Sequence, residues 1–140
     1  MYLSNLRINS ERFRGNFEEL SQIGATNDGG VNRPSFSSAH SEAREWFQKK
    51  AVEANLDFHI DNAGNHSAIL YCGPSNAPTF LLGSHLDSVP NGGRFDGALG
   101  VIAAFEVLQT IQETGLYLPF NLEAIDFSCQ AKLAMRWSRR

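Results

Sequence analysis

The chain has 140 residues, 42% hydrophobic and 19% charged, with ten Phe, which suits one packed domain or a piece of one and excludes a disordered chain. No unbroken apolar run exceeds five residues, far short of the ~20 a membrane helix needs. The N-terminus lacks a basic-then-apolar leader, and two cysteines are too few for a disulfide scaffold or thiolate metal cage. The expectation is therefore a soluble, cytoplasmic globular protein.

The net charge of −3 is unevenly spread. Lys132, Arg136, Arg139 and Arg140 give residues 128–140 four positive charges and no acid, leaving residues 1–127 with 8 basic against 15 acidic side chains. An acidic body argues against nucleic acid as a partner, and the basic tail is too sparse to mark nucleic-acid or membrane binding.

The first helix is predicted from Ser10, read as its cap, with Phe13, Phe17, Leu20 and Ile23 at helical spacing and Gly24 at its end. Residues 25–36, with Gly29-Gly30 and Pro34, read as a loop. A second helix is expected from Ser38 to Ala54, burying Ala39, Ala43, Trp46, Phe47 and Ala51. The period then changes to two: Phe58 and Ile60 alternate with His59 and Asp61, and Asn62-Ala63-Gly64-Asn65 turns the chain into a partner strand at Ser67–Tyr71. Thr79–Gly83 reads as a buried central strand, residues 88–97 as a Gly-rich loop, Ala98–Thr114 as a helix, and Asn121–Phe127 as another buried strand. Helices alternating with apolar strands predict an α/β layered domain.

Chemistry concentrates in Gly83-Ser84-His85-Leu86-Asp87-Ser88, followed by Asp96, at the C-terminal end of a predicted strand, where open α/β sheets place their sites. On extended chain, residues two apart face the same side, so His85 and Asp87 point together while Ser84 points away. That disfavours a Ser-His-Asp nucleophile built from these neighbours, and no G-x-S-x-G elbow is present. The pattern suits a metal-binding His oriented by a carboxylate, with Gly92-Gly93 letting the chain return so that Asp96 approaches the same point. A purely structural His at a strand end fits the spacing as well. A phosphate loop fits less well, because the Lys-Ser/Thr ending of a P-loop is missing.

The run Gly83-Ser84-His85-Leu86-Asp87-Ser88-Val89-Pro90-Asn91-Gly92-Gly93-Arg94-Phe95-Asp96-Gly97-Ala98-Leu99-Gly100-Val101 resembles the N-carbamoyl-L-amino-acid hydrolase and allantoate amidohydrolase group. These hydantoinase/carbamoylase-type amidases lie within the dinuclear-metal aminoacylase/carboxypeptidase superfamily. Gly29-Gly30-Val31-Asn32-Arg33, Ala43-Arg44 with Trp46, and Asp61-Asn62-Ala63-Gly64-Asn65 are similar to the group in the same order. The resemblance runs from about Ile8 to Phe127 and covers the group's N-terminal portion only.

The resemblance implies a partial three-layer, metal-dependent exopeptidase-like α/β catalytic domain with a mixed sheet, cut before the later strands and the lid/dimerisation domain through which the group forms homodimers. It implies two divalent metal ions (zinc, manganese or cobalt). His85 matches the first metal ligand and Asp87 the catalytic-site carboxylate that orients it. Asp96 matches the carboxylate bridging both metals, with an unusual peptide bond to Gly97. The implied reaction is hydrolysis of a linear C–N bond in a small carbamoyl or ureido substrate, the metal-bound water losing its proton to a glutamate base.

The sequence departs from the group after Ser128. Where a Glu-Glu-Gly segment is expected it has Cys129, Gln130, Ala131 and Lys132, so residues 128–140 read as a non-family basic tail, of frameshifted or foreign origin or else a natural regulatory tail, joined to a domain portion at 1–127. The chain by itself is expected to be inactive. The alternatives are a non-catalytic binding fragment or pseudoenzyme, and a fragment of a related metal-dependent exopeptidase. Of the remaining residues, His40 is expected to cap or pack, His59 to be solvated and His66 to be structural, with Cys72 and Cys129 unpaired. Arg94 reads either as an anion contact or as a loop brace.

Overall fold

The computed structural model describes residues 6–128; of the expected tail, residues 129–140 lie outside the described residues. Three helices and four strands follow in the order α1 (Ser10–Gln22), α2 (Ser38–Glu53), β1 (Asp57–Ile60), β2 (His66–Leu70), β3 (Thr79–Ser84), α3 (Ala98–Thr114) and β4 (Asn121–Asp126). Each lies close to its expected place. The cap of α1 is Asn9 rather than Ser10: its side chain accepts the Arg12 N–H, an arrangement open to either residue type. Gly24 follows α1 at φ 72°, as its freedom from a Cβ allows.

The four strands form one mixed sheet in the order β1-β2-β4-β3. The β1–β2 hairpin is antiparallel, with Phe58 opposite Ala68, and β2 runs antiparallel to β4. β3 and β4, joined through α3, are parallel, with Ser84 beside Asp126. One expectation is reversed here. β4, buried along nearly its whole length, is an inner strand, whereas β3 is an edge strand of the described sheet, with Phe80 and Leu81 exposed. The run Phe80-Leu81-Leu82 is as apolar as an inner strand, so hydrophobicity alone does not tell the two positions apart.

The core lies where α2 and α3 meet the sheet face carrying Phe58, Ala68, Leu122 and Ala124. Phe47 of α2 stands edge-on to both Phe58 and Phe105 of α3, at ring separations of 6.2 and 5.8 Å. Around them Leu20, Ala43, Ala51, Val101, Ile102 and Leu108 are buried. α1 docks on α3, where the buried Glu106 accepts from Arg12 through two bonds of 2.8 Å and from the Asn9 N–H. A carboxylate inside an apolar helix is tolerated because these donors replace its water. Among the described residues, no helix is long and apolar enough to cross a membrane.

Candidate metal centre

β3 ends at Ser84, and the next three residues leave the sheet edge beside the C-terminal end of β4. Two anchors hold that departure. The Leu86 N–H donates to Asp126 Oδ1 at 2.7 Å, and the Phe127 N–H donates to Ser84 O at 2.8 Å. Asp126 is fully buried and paired with Arg44 of α2 at 2.8 Å. Burial pushes its carboxyl up to about 6, against the opposing pull of Arg44 and the Leu86 N–H. Arg44 also reaches Ser128 Oγ at 2.6 Å, and the Ser128 N–H donates to Asn65 Oδ1 at 2.8 Å. The Asp61–Asn65 turn therefore steers the chain as it leaves β4.

On the other side, the segment after α1 clamps the same stretch. Arg33 is 1% exposed and spans the gap: its Nε donates to Leu86 O at 3.0 Å, and its Nη1 to Leu20 O and Ile23 O at 2.8 and 2.9 Å. Its backbone exchanges bonds with Ser88. Burial lowers the pKa of this guanidinium, with Asp126 and Asp87 opposing the shift. Val31 bridges Gly92, and Asn91 donates to Asp28. A Cβ at Gly30 would lie 2.9 Å from the Gly92 backbone oxygen, so the close approach of the two loops favours glycine there.

Within this frame His85 and Asp87 do turn to the same side. His85 Nδ1 lies 3.0 Å from Asp87 Oδ1 and 2.9 Å from the Asp87 backbone oxygen. Two acceptors on one nitrogen assign it the hydrogen, leaving the lone pair on Nε2. The Asp87 carboxylate raises the imidazole pKa above its ordinary value, with burial opposing. Asp87 itself is fully buried, and its other oxygen accepts from Ser35 Oγ.

Asp96 comes round the Gly-rich loop to place Oδ1 3.9 Å from His85 Nε2, and it is largely exposed. The expected unusual bond between Asp96 and Gly97 is not found: every peptide among the described residues is trans. The sharp turn is made instead at Gly97, whose φ 70° and ψ −58°, with an Ala98 N–H to Asp96 O bond of 2.8 Å, form a γ-turn open to glycine. A Cβ there would lie 2.4 to 2.6 Å from His85 O, Cε1 and Nδ1, so the imidazole occupies space that only glycine leaves.

His85 Nε2 and Asp96 Oδ1 thus bring one imidazole and one carboxylate to within 3.9 Å of each other, both donor types that divalent metals accept. Among the described residues no group of three or more His, Cys, Asp or Glu is placed to hold a metal. Ser84 does not join them.

The other histidines lie apart from this point. His40 is buried, and its Nδ1 accepts the Phe36 N–H at 3.0 Å. Burial, then Arg44, lowers its pKa to about 4. His59 is exposed, and His66 stands edge-on to Phe58 at 5.5 Å. Arg94 lies over the rings of Phe95 and Phe17, at 5.0 and 5.7 Å, as a brace for the loop would. Two supporting residues had no strong sequence signal. Asp126 is marked only as an acid closing an apolar strand, and Ser35 lies in an unpatterned loop 52 residues from Asp87.

No protein-family profile matches the chain. It is 39% identical over 121 residues to an N-carbamoyl-L-amino acid amidohydrolase of Geobacillus stearothermophilus, covering 86% of this chain and 30% of that protein. It is 36% identical over 108 residues to an allantoate amidohydrolase of Bacillus subtilis, covering 77% of this chain and 26% of that one. Among solved structures, a hydantoinase/carbamoylase family amidase from Burkholderia ambifaria superposes with a TM-score of 0.84 at 33% identity, over 88% of this chain and 30% of that chain. The chain spans about 30% of the length of the relatives it matches.

Proposed function

This chain is a relative of the hydantoinase/carbamoylase-family amidases, similar to a part of them, and we propose that it carries one corner of a metal centre for hydrolysing linear C–N bonds. The substrate class is a small N-carbamoyl-L-amino acid or an allantoate-like ureido compound. The observation that carries this reading is the His85–Asp87–Asp96 geometry, with Nδ1 held at 3.0 Å and Nε2 turned towards a carboxylate.

In this reading His85 Nε2 and Asp96 would hold a divalent metal (zinc, manganese or cobalt), and Asp96, with two oxygens on an exposed turn, would reach a second one. When bound, such ions polarise the carbonyl and make water acidic near neutral pH. Asp87 stays behind the imidazole and keeps the hydrogen on Nδ1. Gly97 leaves the imidazole room, and Arg33 and Asp126 hold the backbone that carries it. A base is still required to collect the proton from water. Residues 129–132 supply Cys, Gln, Ala and Lys, and an amide such as that of Gln130 takes no proton at neutral pH.

Accordingly, residues 1–127 belong to the amidohydrolase domain and 128–140 are a separate tail, and the 140-residue chain alone has no turnover. A cytoplasmic setting and homodimers through a lid domain belong to the same reading and concern the whole protein. The test is incubation of the purified chain with zinc, manganese or cobalt and N-carbamoyl-L-amino acids or allantoate, alongside zinc titration of wild type and His85→Ala. We expect no ammonia release and zinc uptake that needs His85. Metal-dependent ammonia release abolished by His85→Ala would disprove the inactivity, and zinc uptake indifferent to His85 would disprove the site.

A further inference from the structure

Glycine follows an acid or its amide at three places: Asp28-Gly29, Asn91-Gly92 and Asp96-Gly97. At such a step no Cβ shields the glycine nitrogen, and it can attack the carbonyl carbon of the preceding side chain. Attack needs a nitrogen able to give up its proton and a side chain free to turn towards it.

The fold withholds both at the first two steps. The Gly29 N–H donates to Thr26 O at 3.1 Å, and the Gly92 N–H to Val31 O and Val89 O at 2.8 and 3.1 Å. Their acyl partners are tied to each other, with Asn91 Nδ2 donating to Asp28 Oδ2 at 2.7 Å and Thr26 Oγ1 lying 3.0 Å from Asn91 Oδ1. At the third step neither restraint exists. Among the described residues the Gly97 N–H donates to no acceptor. The Asp96 carboxylate is 66% exposed and lies 3.9 Å from His85 Nε2, beyond hydrogen-bond reach. The Ala98 N–H donates at 2.8 Å to Asp96 O, the oxygen of the same amide whose nitrogen must react. That bond draws electron density from the amide and makes the Gly97 N–H more acidic, and the positive end of α3, which Gly97 caps, acts in the same sense.

We propose that Asp96–Gly97 is a modification site, at which the folded chain isomerises to isoaspartate. The Gly97 nitrogen bonds to Asp96 Cγ, and its proton leaves with a carboxyl oxygen and proton as water, closing a five-membered imide. Water then adds to the imide carbonyl on the Cα side, and the bond from that carbon to the Gly97 nitrogen breaks. The main chain now runs through Cγ, and the former backbone carbonyl carbon carries the free carboxylate. Mass is unchanged and water is the only co-reactant. The product has an extra methylene in the main chain at the corner and a carboxylate attached directly to Cα, which withdraws it from its place beside His85. The reaction does not rest on the metal reading.

The test is the purified 140-residue chain aged at neutral pH in metal-free buffer, with and without denaturing urea, and mapped by proteolysis and mass spectrometry. Isoaspartate at 28 and 96 is read from peptide retention and backbone fragmentation, and loss of the Asn91 amide from the mass change. In urea all three steps should react, Asn91 fastest because ammonia leaves more readily than a carboxyl oxygen. Without urea we expect Asp96 to isomerise at least as fast as in urea, while Asp28 and Asn91 slow by about 10-fold, the order set by the hydrogen bonds that must first break. Asp96→Asn should lose its amide faster than wild type isomerises, with or without urea. Asp96 slowed by the fold as much as the other two would overturn the proposal. So would Asp28 and Asn91 reacting at their urea rates, or an Asp96→Asn chain that keeps its amide. Zinc uptake plays no part in these outcomes and tests the metal reading separately.

Discussion

A methyl group at position 97 would meet the backbone oxygen and the ring of His85 at 2.4 to 2.6 Å, on a residue with φ 70°. Neither the steric overlap nor the dihedral is relieved by a small rotation, since the neighbour is backbone and a ring already held by Asp87. We therefore expect Gly97→Ala to cost about 1–3 kcal/mol of stability and to abolish zinc uptake, as read by urea unfolding and titration; wild-type values in both would contradict the packing. By contrast Gly93, where a Cβ meets nothing within 4 Å, should accept alanine with zinc uptake intact. At this scale much of the site was legible. His85 and Asp87 are two apart on extended chain and so face together, and two glycines before Asp96 announce a return. Ser35 and Asp126 were not legible, because their roles depend on where separate loops meet and not on any local pattern.

The element that ties the site to the core is α2, which presents His40 and Arg44 one turn apart. His40 is buried with Arg44, His66 and Arg33 near it, and only Asp87 favours its charged form. The sign of the pH effect follows. The folded chain takes up this proton near pH 4 and the unfolded chain near 6.5, so between those values the unfolded state binds more protons. Stability is therefore complete above about pH 6.5 and is lost as pH falls towards 4. For a group this buried the loss is roughly 3 kcal/mol. His66, whose pKa is also lowered to about 4, acts in the same direction. Urea unfolding at pH 7 and pH 4.5 should show the fall, and His40→Asn, which keeps an acceptor for the Phe36 N–H, should reduce it, leaving the part that His66 contributes. An unchanged slope in that variant would exclude His40 as the source. Helix periods and turn residues placed α1, α2, α3 and the β1–β2 hairpin well. They did not distinguish β3 from β4, since both are short apolar runs and only pairing decides which is inner.

Across the whole molecule, the edge strand β3 exposes Phe80 and Leu81, at 55% and 46%. An apolar strand edge invites pairing with another chain. The 140-residue chain should self-associate with rising concentration, and Leu81→Lys should reduce this in sedimentation; a concentration-independent monomer would show that the edge is protected. The α/β layering was readable from the alternation of helical and apolar strand segments, and the mixed sheet was expected from the resemblance carried by residues 83–101 and the segments upstream of them. Beyond Ser128 the expected Glu-Glu-Gly has no counterpart, since residues 129–132 are Cys, Gln, Ala and Lys. If that tail is frameshifted, another reading frame of the DNA after codon 127 should encode Glu-Glu-Gly, and its absence from all frames would exclude this origin. The claim on which the rest depends is that His85 and Asp96 share a metal. Manganese-induced broadening in the ¹H–¹⁵N spectrum of the chain measures this residue by residue. We expect signals of residues 85–87 and 95–98 to broaden first in wild type and to persist in His85→Ala; broadening centred elsewhere, or identical in the variant, would contradict it.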